Sequence, residues 1–405
     1  MKTLKTHLTY MLFFIAGILL LGLAEKSLFS IALYSVAILM GALIISWAAE
    51  SSEIIISEGL ALAIVAWVQV FPEFMIEATI SWAQDIPNMF ANFTGANSIL
   101  IGIGWPLVFF VTSFFYRRKN GRFLKEIVLS DEHSVEVVFF FAATVYSFVI
   151  IFRGALTIFD SVVMIGLYIT YLAFVARLPH LSRKKSSELV MGVPKKVIGL
   201  KKSYIKPVIA SMFLIGGLLI YFAAGPFYDN SLVLATSLGI SQFLFIQWVA
   251  PFLSEFPEKT SAFYWASKVK QAPMALMNLI SSKLTQWTLL LAMIPIVFSL
   301  STGSLSSIPL SSQVAGTGFT VSMELLLTIA TSVYASVLLF KMRISWYEAA
   351  SLFLLWIVQF MWVSTRPAMI WVCFGLAALE LIVYRKELLK TFSGFMKIFN
   401  EHVKK

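Results

Sequence analysis

The chain has one cysteine, four histidines and few charges: Asp, Glu, Lys and Arg make up 13% of its 405 residues. Soluble domains carry about a quarter charged residues, so this composition excludes a water-soluble enzyme. The lone Cys373 lies in an apolar run, and one cysteine builds neither a disulfide framework nor a cysteine metal site. His7, His133, His180 and His402 all fall outside the long apolar stretches, which argues against an intramembrane histidine relay or zinc site. With neither a histidine nor a pair of aspartates in those stretches, an intramembrane protease has no catalytic set. Glycine (21) and proline (13) are too few for a collagen-like or disordered chain.

Apolar sequence is what remains, at 59% of the residues. About 20 apolar residues cross a bilayer as a helix. The runs predict an all-α polytopic membrane protein of about twelve transmembrane helices. They fall near 8–24, 28–56, 58–83, 88–116, 134–152 and 156–177, then 207–237, 241–267, 273–300, 319–341, 344–363 and 366–385. The charged start before residue 8 resembles a signal peptide, but no small-residue cleavage site follows, so residues 8–24 read as a first span.

Net charge is +10, and its placement decides the partner. With twelve crossings, 26 of the 31 basic residues fall on one face, as the positive-inside rule requires of a cytoplasmic side. This points to a bilayer rather than a nucleic acid, with both termini cytoplasmic and the cell membrane as location. The expected divisions are an extra N-terminal helix at 1–27, a five-helix repeat at 28–177, a basic cytoplasmic loop at 178–206, a second five-helix repeat at 207–363, and an extra helix with a basic tail at 364–405. The basic loop serves topology first, and contact with anionic lipid is the sharper reading.

The two halves repeat a triplet. Phe71-Pro72-Glu73 and Phe256-Pro257-Glu258 each lie near the middle of an apolar run, and the charge pattern runs the two helices in opposite directions. This predicts inverted-topology repeats with broken helices at the Phe-Pro-Glu motifs and an ion site at the midplane. A proline within a helix removes one hydrogen bond and frees a carbonyl near Val68 or Leu253. Freed carbonyls beside a carboxylate are hard oxygen ligands for Ca²⁺ or Na⁺. A plain proline kink is the bland reading for one motif, but the matched pair favours a site.

A carboxylate at the bilayer centre costs at least ~2.5–3.5 kcal/mol on insertion scales, so it normally faces a cavity and has a function. Glu77 follows Glu73 by one turn, and Glu255 precedes Glu258 by three residues, placing each pair on a shared face. Lys259 and Lys283 are the cations in or near the core, and Glu255 with Lys259 has the spacing of an internal ion pair. Glu50 and Glu53 read as interfacial residues at a helix end.

These motifs resemble the cation/Ca²⁺ exchanger superfamily, whose best-known members are Na⁺/Ca²⁺ exchangers. Each family repeat carries a motif near Gly-Thr-Ser-Leu-Pro-Glu, then one near Gly-Ser-Asn about two dozen residues on. The matching positions are Gln69-Val70-Phe71-Pro72-Glu73 with Gly95-Ala96-Asn97, and Ser254-Glu255-Phe256-Pro257-Glu258 with Ser281-Ser282-Lys283. Leu238-Gly239-Ile240-Ser241 and the Arg153-Gly154 to Tyr168-Ile169-Thr170-Tyr171 region are also similar. The resemblance implies that Glu73 and Glu258 are central Ca²⁺ carboxylates, and the inverted repeat with its prolines predicts that they face one another across the midplane. The resemblance also implies cation ligation by Ser254 and Ser282, with Gln286 near a polar ligand position. Glu255 replaces a Ser of the family, and Glu77, Glu255 and Gln69 join the candidate set on the reading of the residues themselves. Val70 and Ala96 replace hydroxyl ligands, and Leu100 stands where the family has a polar one.

The expected function is a non-enzymatic secondary antiporter that moves Ca²⁺ against Na⁺ by alternating access. The alternative is H⁺ coupling, favoured by the lost hydroxyls and the surplus of Glu. No cofactor is implied beyond the transported ions. A channel or a membrane scaffold is the competing class, and the mirrored Pro-Glu helices argue against it. An ammonium from Lys259 or Lys283 in a vacated cation position is a further expectation. Nothing in the sequence sets the oligomeric state.

Overall fold

The computed structural model describes residues 28–52, 70–130, 133–176, 192–387, 391 and 393–396. Among these, the long elements are helices, as the apolar runs predict. They are α1 (Leu28–Ser52), α2 (Phe71–Trp82), α3 (Ile86–Asn120), α4 (Ser134–Arg153), α5 (Ile158–Val175), the short α6 (Val193–Ile198) and α7 (Lys202–Ser237). Then follow α8 (Gln242–Ser254), α9 (Phe256–Ser267), α10 (Ala272–Thr302), α11 (Val321–Leu339), α12 (Trp346–Met361) and α13 (Arg366–Val383). Eight of the described helices are long and apolar enough to cross a membrane, and α8 and α12 are shorter apolar helices. The expected span 8–24 and residues 53–69 lie outside the described residues.

Local chemistry sets the helix ends. Asp85 caps α3 by accepting from the Asn88 N–H at 3.2 Å, and Pro87 sits where a missing N–H costs nothing. Gly121, at φ +72°, closes the same helix in the left-handed conformation that a side chain would strain. Capping boxes start α5 (Thr157 with Asp160) and α12 (Ser345 with Glu348). Among the described residues, three two-stranded antiparallel pairs that hydropathy did not predict lie between helices. Strand β1 (Glu126–Val128) pairs with β6 (Arg343–Ser345), β2 (Ala155–Leu156) with β3 (Ile308–Pro309), and β4 (Gln313–Val314) with β5 (Phe319–Thr320).

The chain divides into two compact units, each drawing on both sequence halves: residues 1–80 with 183–257, and residues 81–182 with 258–405. In the first unit α1 packs along α7 at a glycine crossing. A Cβ on Gly41 would meet the Gly216 carbonyl at 3.0 Å, and one on Gly216 would meet the Gly41 carbonyl at 2.9 Å. Small residues at such crossings let helix backbones approach closely. In the second unit α11 packs against α4 and α13, and α5 lies along α10. Both α3 and α10 contain a π-helical stretch, Leu100–Gly104 and Gln286–Leu290. These wider turns lie at matching places in the two repeats, and such bulges concentrate at functional sites.

Candidate cation site

In the first unit, Pro72 takes the second position of α2 and Glu73 its first turn. Glu73 and Glu77 are both buried, as is Val70 just before the helix. The first turn closes with the Phe74 N–H donating to the Val70 carbonyl at 3.1 Å. A first-turn carboxylate faces the partial positive end of its helix. Gln69 lies outside the described residues. Ser254 ends α8, its hydroxyl donating to the Pro251 carbonyl at 3.4 Å. Glu255 interrupts the helix before α9 begins, with its N–H donating to the same carbonyl at 3.0 Å. Both side chains are buried. The span expected over 241–267, with a break at its Phe-Pro-Glu motif, is two helices that meet at Glu255. Pro257 takes the second position of the new helix, where no hydrogen bond is lost.

The second unit holds Glu258 in the first turn of α9. Its Oε1 accepts from the Ser282 hydroxyl, and from Asn278 Nδ2 at 3.4 Å. Both partners lie on α10, so this helix orients the Glu258 carboxylate with one hydroxyl and one amide. Ser282 and Gln286 are buried. Glu258, Ser282 and Gln286 thus fall in one unit, and Glu73, Glu77, Ser254 and Glu255 in the other.

Next to Ser282, Lys283 is fully buried. Its Nζ donates to the Asn97 backbone carbonyl at 2.9 Å and to Asn97 Oδ1 at 2.5 Å. The Asn97 amide is set by its own Nδ2, which donates to the Phe93 carbonyl at 2.8 Å. Phe93 meets the Trp287 ring edge-on at 5.4 Å, and the Lys283 ammonium lies 5.7 Å from the Trp287 ring centre. The indole N–H donates to Ser332 at 3.1 Å. Lys259 is also buried. Among the described residues, no group of three or more His, Cys, Asp and Glu side chains gathers. A cation held here must lean on hydroxyl, amide and backbone oxygens with few carboxylates, a donor set suited to Ca²⁺ or Na⁺.

Other charges stand away from these motifs. Arg366 and Glu324 form a buried pair, with Nη1 at 2.7 and 2.8 Å from the two carboxylate oxygens. The sequence offers no sign of this partnership across 42 residues. Asp160 accepts from Arg153, Tyr146 and Thr157. Beyond the end of α11, Lys341 donates to Glu348 and Glu380 and lies over the Tyr384 ring. Burial works against the Lys341 ammonium, but the two carboxylates outweigh it and its pKa is raised. At the entry to α4, burial lowers the pKa of His133 to about 4.

A profile of the family described as sodium/calcium exchanger protein matches residues 9–177 and 208–365. A solved structure of an H⁺/Ca²⁺ exchanger, CAX, is 32% identical, covers 98% of each chain and superposes with a TM-score of 0.87. A Ca²⁺/H⁺ antiporter, YfkE, is 16% identical over 91% of this chain and 100% of its own, with a TM-score of 0.59. The sodium-calcium exchanger NCX_Mj is 17% identical over 86% and 99%, with a TM-score of 0.51. At those identities the last two show a common fold alone. Comparison with curated protein sequences gives no match.

Proposed function

The chain belongs to the sodium/calcium exchanger protein family, and from that premise we propose that it is a Ca²⁺ antiporter driven by H⁺. It is a multi-pass membrane protein, and the proposed setting is the cell membrane with both termini in the cytoplasm. The observation that carries the reading is the Glu258 carboxylate, buried in the first turn of α9 and dressed by Ser282 and Asn278. Its oxygens suit a hard divalent ion that sheds its water, which Ca²⁺ does more readily than Mg²⁺. A proton competes for the same oxygens. A carboxylate that holds either Ca²⁺ or H⁺, and opens to each side in turn, exchanges one for the other.

Glu73 is the proposed equivalent in the first repeat, with Glu77, Glu255, Ser254, Gln69 and Gln286 supplying further oxygens. H⁺ coupling is preferred to the Na⁺ coupling first expected, for two reasons. The solved exchanger at 32% identity is described as an H⁺/Ca²⁺ exchanger. Val70, Ala96 and Leu100 also leave the first repeat without the hydroxyl and polar ligands that Na⁺ sites of the family use.

Purified protein in liposomes provides the test. With ⁴⁵Ca²⁺ outside, an outward H⁺ gradient should drive uptake, and an outward Na⁺ gradient at equal pH should not. Uptake that requires Na⁺ and ignores the pH gradient would reverse the assignment, and no uptake under either gradient would end the Ca²⁺ reading.

A further inference from the structure

We infer that the Lys283 ammonium is a built-in monovalent cation, filling in the second unit a position that a free Na⁺ would otherwise occupy. The inference rests on the exchanger reading above and concerns which ion that site accepts.

The surroundings of Nζ are those of a cation site. Two neutral oxygens of one residue, the Asn97 carbonyl and Oδ1, converge on it at 2.9 and 2.5 Å. Backbone and side-chain carbonyl oxygens are what hard cations take from proteins. The Asn97 side chain is not free to turn away, because its Nδ2 is held by the Phe93 carbonyl. The Trp287 face adds a weak attraction for a positive charge at 5.7 Å. Lys283 is fully buried, so its charge depends on protein contacts, these among them, rather than on bulk water.

Position strengthens the case. Asn97 lies on α3 and Lys283 on α10, 186 residues apart, and each stands three residues before the π-helical stretch of its own helix. Ser282, the neighbour of Lys283, donates to Glu258. One helix turn therefore presents a hydroxyl to the proposed Ca²⁺ carboxylate and an ammonium to Asn97. A tethered ammonium cannot be exported, so the site contributes charge without exchanging an ion. Transport then has no Na⁺ requirement at this position, and the proton is left as the coupling ion.

The test is Lys283→Ala, with Lys283→Ser as a second variant that restores a small oxygen ligand. Melting of purified protein in detergent is followed in Na⁺ and in choline, without Ca²⁺. The wild type should melt at the same temperature in both salts. Each variant should gain a saturable, Na⁺-specific rise of about 2 °C or more, as a newly bound ion stabilises the fold. Adding Asn97→Ala should abolish the rise. Folded variants that melt identically in Na⁺ and choline would overturn the inference, as would a wild type already stabilised by Na⁺ and destabilised by Asn97→Ala. Should neither variant fold, the wild-type arm decides, because a filled site requires indifference to Na⁺. This readout needs no transport, so its failure is distinguishable from failure of the Ca²⁺ reading in the liposome assay.

Discussion

The two repeats of this chain share a plan and differ in chemistry. Each places a Phe-Pro-Glu motif at the start of a helix, and each follows it with a long helix carrying a π-helical stretch. In the first repeat that helix shows Ala96, Asn97 and Leu100; in the second it shows Ser282, Lys283 and Gln286. The first repeat thus brings neutral oxygens from Asn97, and the second brings a hydroxyl, an amide and a fixed positive charge. The helix plan is matched in the two repeats, and the side chains at the proposed ligand positions are not. In an exchanger the backbone must serve both faces of the membrane, whereas each ligand position has only its own ion to hold.

The sharpest way to break the comparison is to remove the feature that both repeats share. Glu258→Gln and Glu73→Gln should each lower H⁺-driven ⁴⁵Ca²⁺ uptake on the order of 100-fold or more, because each removes a ligand charge. Equal losses would make the carboxylates the symmetric part of the site. Near-normal uptake with Glu73→Gln would leave the second repeat as the sole Ca²⁺ holder and contradict the proposed function.

Hydropathy and charge made much of this legible. The apolar run at 134–152 became α4 at Ser134–Arg153, and the run at 366–385 became α13 at Arg366–Val383. The buried Glu73, Glu77, Glu255 and Glu258 stood out because carboxylates in apolar runs are costly. Two features stayed hidden for physical reasons. A π-helical stretch changes the hydrogen-bond register without changing the hydropathy of Leu100–Gly104. The Lys283 contact with Asn97 spans 186 residues, and spacing along the chain does not report tertiary partners.

The π-helical stretches give the next largest effect. Gly102 lies against Trp356, and an added Cβ would overlap its side chain. Gly102→Ala should therefore cost about 1–3 kcal/mol through overpacking, seen as a lower melting temperature in detergent. The equivalent place in the second stretch is Thr288, buried and donating to the Leu284 carbonyl at 2.6 Å. Thr288→Ala should cost only about 1 kcal/mol, since it removes one hydroxyl donor, shared between the Leu284 and Thr285 carbonyls, and adds no atoms. An equal penalty at both sites would mean that the two stretches are held alike, and the asymmetry would then be confined to the ligands.

Within the ligands, Ser282→Ala should weaken Ca²⁺ roughly tenfold by removing the hydroxyl that orients Glu258. The measurement is the half-saturating Ca²⁺ concentration for uptake, with maximal rate retained. A change in maximal rate alone would assign Ser282 to the conformational step instead of binding.

The smallest effect is expected from the reverse exchange, Ala96→Ser. Ala96 is fully buried in α3, one residue before Asn97, and the substitution adds a single oxygen. A buried helical serine can donate to a carbonyl one turn back, so the new hydroxyl is satisfied without displacing a neighbour. Half-saturating Ca²⁺ should stay within about twofold of the wild type, the scale of a substitution that leaves buried polar groups paired. No Na⁺ dependence should appear, because Lys283 still holds the Asn97 oxygens. If Ala96→Ser alone confers Na⁺-dependent uptake, the missing hydroxyl of the first repeat sets the ion preference. If Na⁺ dependence appears only when Ala96→Ser is combined with Lys283→Ala, the ammonium is the dominant block and the hydroxyl completes the site behind it. The combined variant separates the two repeats in a way that neither substitution does alone.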